Sequence, residues 1–497
     1  MRMEEATVLF CMRTVERRLK LRAERHLNLP RAANGLIDVA QPEGAIVKAA
    51  GLVRSAAAGW QRCRPLRREP VEKLILGNGV DEPFASSRVS GTAFVIVAAT
   101  IRLLVMWTQA DCGQCPNSAT GDVVFLMKVM SSGESERCMK LDSEVLKSLP
   151  KVLLHEHLDG VLRPRTIIEL ARDVNYLELP NGNAEELAQW FFQGANQGSL
   201  PKYLEGFAHT IAVMQTEEAL ERVAYEQAED LSQDGVIYFE TRFAPVFHTR
   251  KGLSHQQIVS AVLKGLERGR KDFGIASGLI ICAMRNMDVS LEMAELAVDF
   301  RERGVVGFDL AGEEGGYPPK KHVDAFHYIQ RQNFNITIHA GEGFGKESIW
   351  QAIQYCGAHR IGHGTRLIDD IAVADGKAVK LGDLAQYVLD KRIPLEICLI
   401  SNVHTGAARI LAEHPFKILY QEKFRVTLNT DNRLMSNTSM TKEFQAAATT
   451  FGLTLNDFEI ITINAMKSAF LPYDQRCHFI YSVLKPRYAR IRASQGV

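Results

Sequence analysis

At 497 residues, 46% hydrophobic and 24% charged, the chain has the composition of a globular protein large enough for one big domain plus an additional segment. Its formal net charge of +1 argues against a dedicated binder of nucleic acid or anionic membrane, which would draw its affinity from concentrated positive charge. Nine cysteines, scattered apart from Cys112 and Cys115, exclude a dense disulfide framework and point to a reducing, cytoplasmic setting.

Residues 1–140 show no sustained helix or strand period, and their charge is mostly arginine, as in Arg62, Arg64, Arg67 and Arg68. Residues 1–138 carry 19 Lys+Arg against 14 Asp+Glu, so the basic excess sits at the front. We expect an N-terminal extension, either disordered or the product of a mis-assigned start with Met139 as the true first residue. Glu4, Glu5, Glu16 and Glu24 count against a targeting leader. The apolar run from Ala93 to Trp107 falls short of the roughly 20 residues a membrane span needs and is interrupted by Arg102, so no membrane association is expected. Cys112-Gly-Gln-Cys115 has no second cysteine pair and no βαβ context, and is read as incidental.

From Lys151 the pattern changes to short apolar runs alternating with amphipathic stretches, the signature of βα units around a parallel sheet. The first strand is expected at Lys151 to His155, followed by a helix with Pro164 early and Ile167, Leu170 and Ala171 at helical spacing. An inserted helical segment follows at about 173–215. A clear helix then covers Thr216 to Ser232, with Leu220, Val223, Ala224, Ala228 and Leu231 on one face and Gly235 closing the end. The remaining strands are expected at Val236 to Phe243, Ser277 to Met284, Val305 to Leu310, Ile336 to Ala340, Arg360 to Gly362, Pro394 to Cys398 and Arg425 to Asn429. Eight strands with helical crossovers predict an α/β fold of the (β/α)₈ TIM-barrel type over residues 141–497.

Barrels of this type keep their catalytic groups where strands end, and these ends are polar. The first finishes in His155-Glu156-His157, whose imidazoles, two residues apart on a strand, share a face. The fifth finishes in His339-Ala340-Gly341-Glu342, the sixth in Gly362-His363-Gly364 and the eighth in Asn429-Thr430-Asp431-Asn432. Each alone has an ordinary explanation: a hydrogen-bonded histidine, or an aspartate capping a helix that begins near Asn432. Together they form a set of three imidazoles and a carboxylate without cysteine, which suits Zn²⁺ with an open position, and iron or cobalt somewhat less well.

His155-Glu156-His157-Leu158-Asp159-Gly160 followed by Arg163-Pro164 resembles the opening motif of the adenosine deaminases in the amidohydrolase superfamily. So do Phe308-Asp309-Leu310-Ala311-Gly312-Glu313, Ile338 to Glu342, Arg360 to Gly364, Ser401-Asn402 with Thr405-Gly406, and Asn429-Thr430-Asp431. The resemblance runs from about Leu141 to about Leu471. It implies one zinc per chain held by His155, His157, His339 and Asp431, with Glu342 as proton donor and His363 beside the attacking oxygen. It further implies that Asp159 contacts ribose and that Gly312 lets the purine approach its backbone. Where the family usually carries a second aspartate against purine N7, this chain has Asn432, whose amide can still donate.

The activity so implied is hydrolytic deamination of adenosine, and of 2′-deoxyadenosine, to inosine and ammonia, the partner being a small purine nucleoside. The His-x-Glu and Pro-Cys-x-x-Cys pattern of polynucleotide deaminases is absent. The fourth strand ends in Asp309-Leu310-Ala311-Gly312 without the lysine that two-metal relatives use, which favours one ion. Alternatives are a related purine such as adenine or N6-methyl-AMP, or a non-catalytic barrel. A nucleotide substrate would recruit Arg163, Arg165 or Arg366, which we read as solvated or paired. Nothing in the sequence speaks to oligomeric state.

Overall fold

The computed structural model describes residues 141–495. The arginine-rich first 140 residues, with the Ala93 to Trp107 run and the Cys112/Cys115 pair, lie outside the described residues. Among the described residues no helix is long and apolar enough to cross a membrane, and Cys282, Cys356, Cys398 and Cys477 are free thiols.

All eight expected strands are present, and an additional hairpin separates the sixth from the seventh. They are β1 (Lys151–His157), β2 (Val236–Phe243), β3 (Ala276–Met284), β4 (Val305–Ala311), β5 (Thr337–Ala340) and β6 (Arg360–His363). The hairpin β7 (Ile371–Ala374) and β8 (Lys377–Leu381) follows, then β9 (Leu395–Ile397) and β10 (Val426–Leu428). Two four-stranded parallel sheets result, in the orders β1-β2-β3-β4 and β10-β9-β6-β5. Isolated parallel bridges join Phe308 to Ile336 and Glu156 to Asp431, so each outer strand of one sheet meets an outer strand of the other. The second bridge rests on two main-chain hydrogen bonds, Asp431 N–H to His155 O at 3.0 Å and His157 N–H to Asp431 O at 2.9 Å.

The strands are buried nearly throughout, which is why they read as apolar runs rather than as alternating ones. Helices cover them with apolar faces. Helix Glu217–Gln233 is capped by Thr216, which accepts from Ala219 N–H, and buries Leu220, Val223, Ala224, Ala228 and Leu231. It packs against helix His255–Phe273 through small residues: a Cβ on Gly265 would lie 2.2 Å from Glu221 O, and one on Gly269 would lie 2.4 Å from Ala228 Cβ. The inserted segment forms helices Ala184–Ala195, Leu200–Glu205 and Phe207–Val213, as expected from the sequence.

β1 contains the irregularity that matters for the site. Leu153 pairs with Phe239 and Glu156 with Thr241, so β1 has one residue more than β2 across this step. Such a bulge breaks strict alternation and re-aims side chains. Val152 and Leu154 pack with Tyr238, whose hydroxyl donates to Glu240 in the interior, and the very next residue, His155, also turns inward, to Glu396. Glu156 points the other way, to Gln227, Thr430 and Arg433.

Candidate metal centre and its surroundings

The ends of β1, β5, β6 and the segment after β10 bring His155, His157, His339, His363 and Asp431 together. One ligand atom from each of His155, His339, His363 and Asp431 lies within 4.8 Å of the others. His157 adjoins this group, with Nε2 3.0 Å from His339 Nε2 and 3.5 Å from Asp431 Oδ1. His363 and Asp431 hold backbone φ of 60° and 59°, a left-handed region uncommon for residues other than glycine, though Asp and His enter it more readily than most.

The rings of His155, His339 and His363 are each oriented by a partner on the far side. His155 Nδ1 lies 2.8 Å from Glu396 Oε2, and His339 Nδ1 lies 3.1 Å from Asp309 Oδ2. A carboxylate only accepts, so on both rings Nδ1 is the donor, which leaves Nε2, directed to the centre, as the atom that would ligate a metal once deprotonated. His155 Nε2 is buried with no hydrogen-bond partner, as a ligand-ready atom would be. These carboxylates are themselves fixed: Arg242 bonds Asp309 at 3.0 Å and Glu396 at 2.9 Å, and Arg360 bonds Glu396 and Glu240, each at 2.6 Å. Burial pushes the Asp309 and Glu396 carboxyls up, but the cationic side chains around them win and hold both well below the ordinary range. The interior thus contains three guanidinium groups, from Arg242, Arg285 and Arg360, near the carboxylates of Glu240, Asp309, Glu396 and Asp431.

His363 has the opposite polarity. The Phe416 N–H, a donor that cannot be reversed, donates to His414 Nδ1 at 3.0 Å. Burial pushes His414 down to about 3, so its ring holds one proton, which must sit on Nε2. That nitrogen lies 3.2 Å from Asn402 Oδ1, which also receives the Cys398 N–H, fixing the amide with its NH₂ toward His363 Nδ1 at 2.9 Å. His363 Nδ1 therefore accepts. Burial and the neighbouring His155 keep the ring neutral, so its single proton is on Nε2, 3.4 Å from Glu342 Oε2.

Glu342 is nearly buried and accepts from Thr405 Oγ1 at 2.9 Å. Its loop is held by Glu314, whose carboxylate takes the N–H groups of Gly341, Glu342 and Gly343 at 3.0, 2.8 and 3.2 Å. Burial, then Asp431 and Glu314, raise the Glu342 carboxyl well above its ordinary value, which favours its protonated form. Asp159 is likewise raised, to about 7, by burial and then by Asp431, and its Oδ1 has no partner. Gly312 has φ of 101°, a conformation suited to glycine, at the end of β4. Asn432 packs on Gly160, where a Cβ would meet Asn432 Oδ1 at 2.0 Å, and that oxygen has no hydrogen-bond partner. Arg163, Arg165 and Arg366 pair with Asp230, Glu169 and Asp369, in keeping with the reading that they are not a phosphate site.

The family model described as Adenosine deaminase matches residues 150–486. The chain is 55% identical over 353 residues to Adenosine deaminase 1 of Streptomyces coelicolor, covering 70% of this chain and 89% of that protein. The chain belongs to the adenosine deaminase family. Two solved structures extend the comparison within that superfamily. An adenine deaminase from Arthrobacter aurescens has a TM-score of 0.61 at 25% identity, covering 69% of this chain and 98% of that one. The Arabidopsis N6-mAMP deaminase has a TM-score of 0.59 at 26% identity, covering 70% of this chain and 99% of that one.

Set against this adenosine deaminase frame, sequence reading missed Asp309, Glu396, Arg242, Asn402, His414 and Glu314 as participants. A signal existed for Glu396 and Arg242, which are charged residues inside apolar strands and need interior partners. The partnership of Asn402 with His414 leaves no mark in sequence.

Proposed function

We propose that the chain is a metal-dependent hydrolase that deaminates adenosine and 2′-deoxyadenosine to inosine and ammonia, on eight parallel strands closed into a (β/α)₈ barrel. Closure is supported by the two bridges between the sheets. The observation that carries the chemistry is the contrast in ring polarity: His155 and His339 donate from Nδ1 and leave Nε2 to ligate, whereas His363 presents a proton.

The donor set fits zinc. His155, His157, His339 and Asp431 would hold one ion, since the first three rings offer nitrogen and Ser401 steadies Asp431 through its other oxygen. His363 is excluded as a ligand because its inward nitrogen is the protonated one. A bound zinc ion would supply Lewis acidity, making water acidic enough to yield a nucleophile near neutral pH.

The remaining work falls to side chains. Glu342, whose protonated form burial favours and whose loop and side chain Glu314 and Thr405 hold, would give its proton to purine N1, which lowers the aromatic character at C6. His363 donates from Nε2 to the oxygen that adds to C6, stabilising charge as it develops there. Gly312 offers its backbone to the ring, Asp159 faces the ribose and Asn432 replaces the usual aspartate near N7. The substrate preference for nucleoside over adenine or N6-methyl-AMP is supported by the 55% identity to a protein named adenosine deaminase.

The test is a substrate panel of adenosine, 2′-deoxyadenosine, adenine and N6-methyl-AMP, followed by ultraviolet absorbance and paired with metal analysis. Adenosine should turn over fastest with about one zinc bound. His157→Ala should release the metal, while His363→Ala should retain it and lose turnover. Equal metal loss in both would overturn the division of roles.

A further inference from the structure

The opposite end of the sheets carries a second feature. A cavity of about 380 Å³ opens where β5, β6, β9 and β10 begin, lined by Lys391, Arg392, Arg425, Lys467 and Arg476 together with polar and apolar wall residues. No aspartate or glutamate lines it. None of these five cations forms an ion pair among the described residues. Arg392 and Arg476 bond only to the carbonyls of Lys423 and Lys467, which are neutral, and Arg425 makes no hydrogen bond there. The Nε atoms of Arg425 and Arg476 are buried without a partner.

Arg392, Arg425 and Arg476 are half-buried and Lys391 and Lys467 exposed at the rim, and buried donors such as the two Nε atoms rarely go unsatisfied. Several like charges converging on one concavity without compensation make a focused positive potential. Burial, and then Arg392 and Arg476, press on the Arg425 guanidinium, as expected for cations crowded without a counter-charge. Arg425 precedes β10 whereas Asp431 follows it, so the two lie roughly 20 Å apart along an extended chain, and the cavity is separate from the metal centre. Arg360, which also lines it, is already committed to Glu240 and Glu396.

We propose that this cavity is an anion site for a phosphate group, either free phosphate or the phosphate of a small monoester, bound by Arg392, Arg425, Arg476, Lys391 and Lys467. Planar guanidinium forks match phosphate oxygens, and the two lysines add charge at the rim.

The test uses the full, metal-loaded protein, titrated with inorganic phosphate and separately with ribose 5-phosphate, at ionic strength held constant with chloride. Saturable elevation of the thermal midpoint by several degrees is expected, and the tighter ligand identifies the source as free ion or ester. Arg425→Met should weaken binding by about tenfold, the loss of one charge-assisted contact, and leave adenosine turnover unchanged. It should also raise the midpoint in phosphate-free buffer, because a repelling charge is removed. Should that variant fold poorly, Lys467→Met, at an exposed position, provides the same affinity readout. Shifts that do not saturate, that chloride reproduces, or that persist undiminished in both variants would overturn the proposal.

Discussion

Glu342 and His363 stand close together, yet a proton on each is favoured by a different device: environment for the carboxyl, a chain of oriented hydrogen bonds for the imidazole. Glu342→Gln should keep the metal and the fold but cut kcat by about 10²–10⁴, since an amide cannot deliver a proton to N1. Activity near wild type in a metal-loaded variant would refute that role. Asn402→Asp reverses polarity instead, because a carboxylate can only accept from His363 Nδ1 and would move the ring proton away from Nε2. We expect metal content and KM to stay close to wild type and kcat to fall by about 10²–10⁴, the scale of a wrong-tautomer defect. A matching rise in KM would instead indicate a lost substrate contact. The histidines and acids at the strand ends were legible because they sit at fixed offsets in apolar runs. His414 was not, because its effect reaches His363 through a side chain that sequence spacing does not reveal.

At the scale of elements, the eight strands were readable to within a residue or two at most ends, because burial on both faces leaves a run of apolar residues with polar punctuation. The β1 bulge was not readable, since nothing in Lys-Val-Leu-Leu-His-Glu-His distinguishes a strand with an extra residue from a regular one. The β7–β8 hairpin was missed although its turn, Asp375-Gly376, is a strong hairpin signal with φ of 50° and 71°. Its strands are short and largely exposed, so they lack the apolar pattern by which the others were found. Helix packing makes its own prediction. Gly265→Ala should destabilise the protein by about 1–3 kcal/mol, since its Cβ would meet a backbone oxygen that can retreat only if the whole helix moves. A urea titration with an unchanged midpoint would show that the two helices can separate freely.

For the whole molecule, pH should act from two sides. Asp309, Glu396 and Asp431 are held below their unfolded values, so the stability they contribute is complete above about pH 4 and lost as pH falls through the lower folded values. Asp159 and Glu443, raised by burial to about 7 and about 8, favour the folded state most when protonated. Their contribution is complete below about pH 4 and declines as pH rises toward those values. The urea midpoint should therefore peak well on the acid side of neutrality, near pH 4–5; a maximum above pH 8 would contradict this. The carboxylates of Glu240, Asp309, Glu396 and Asp431 and the guanidinium groups of Arg242, Arg285 and Arg360 are all buried. A cation held by Asp431 and the imidazoles would add attraction to that carboxylate where burial leaves little solvent screening. A bound ion would then be a keystone of the architecture as well as a reagent: chelation should lower the thermal midpoint by about 5–10 °C, zinc should restore it, and potassium at any concentration should not.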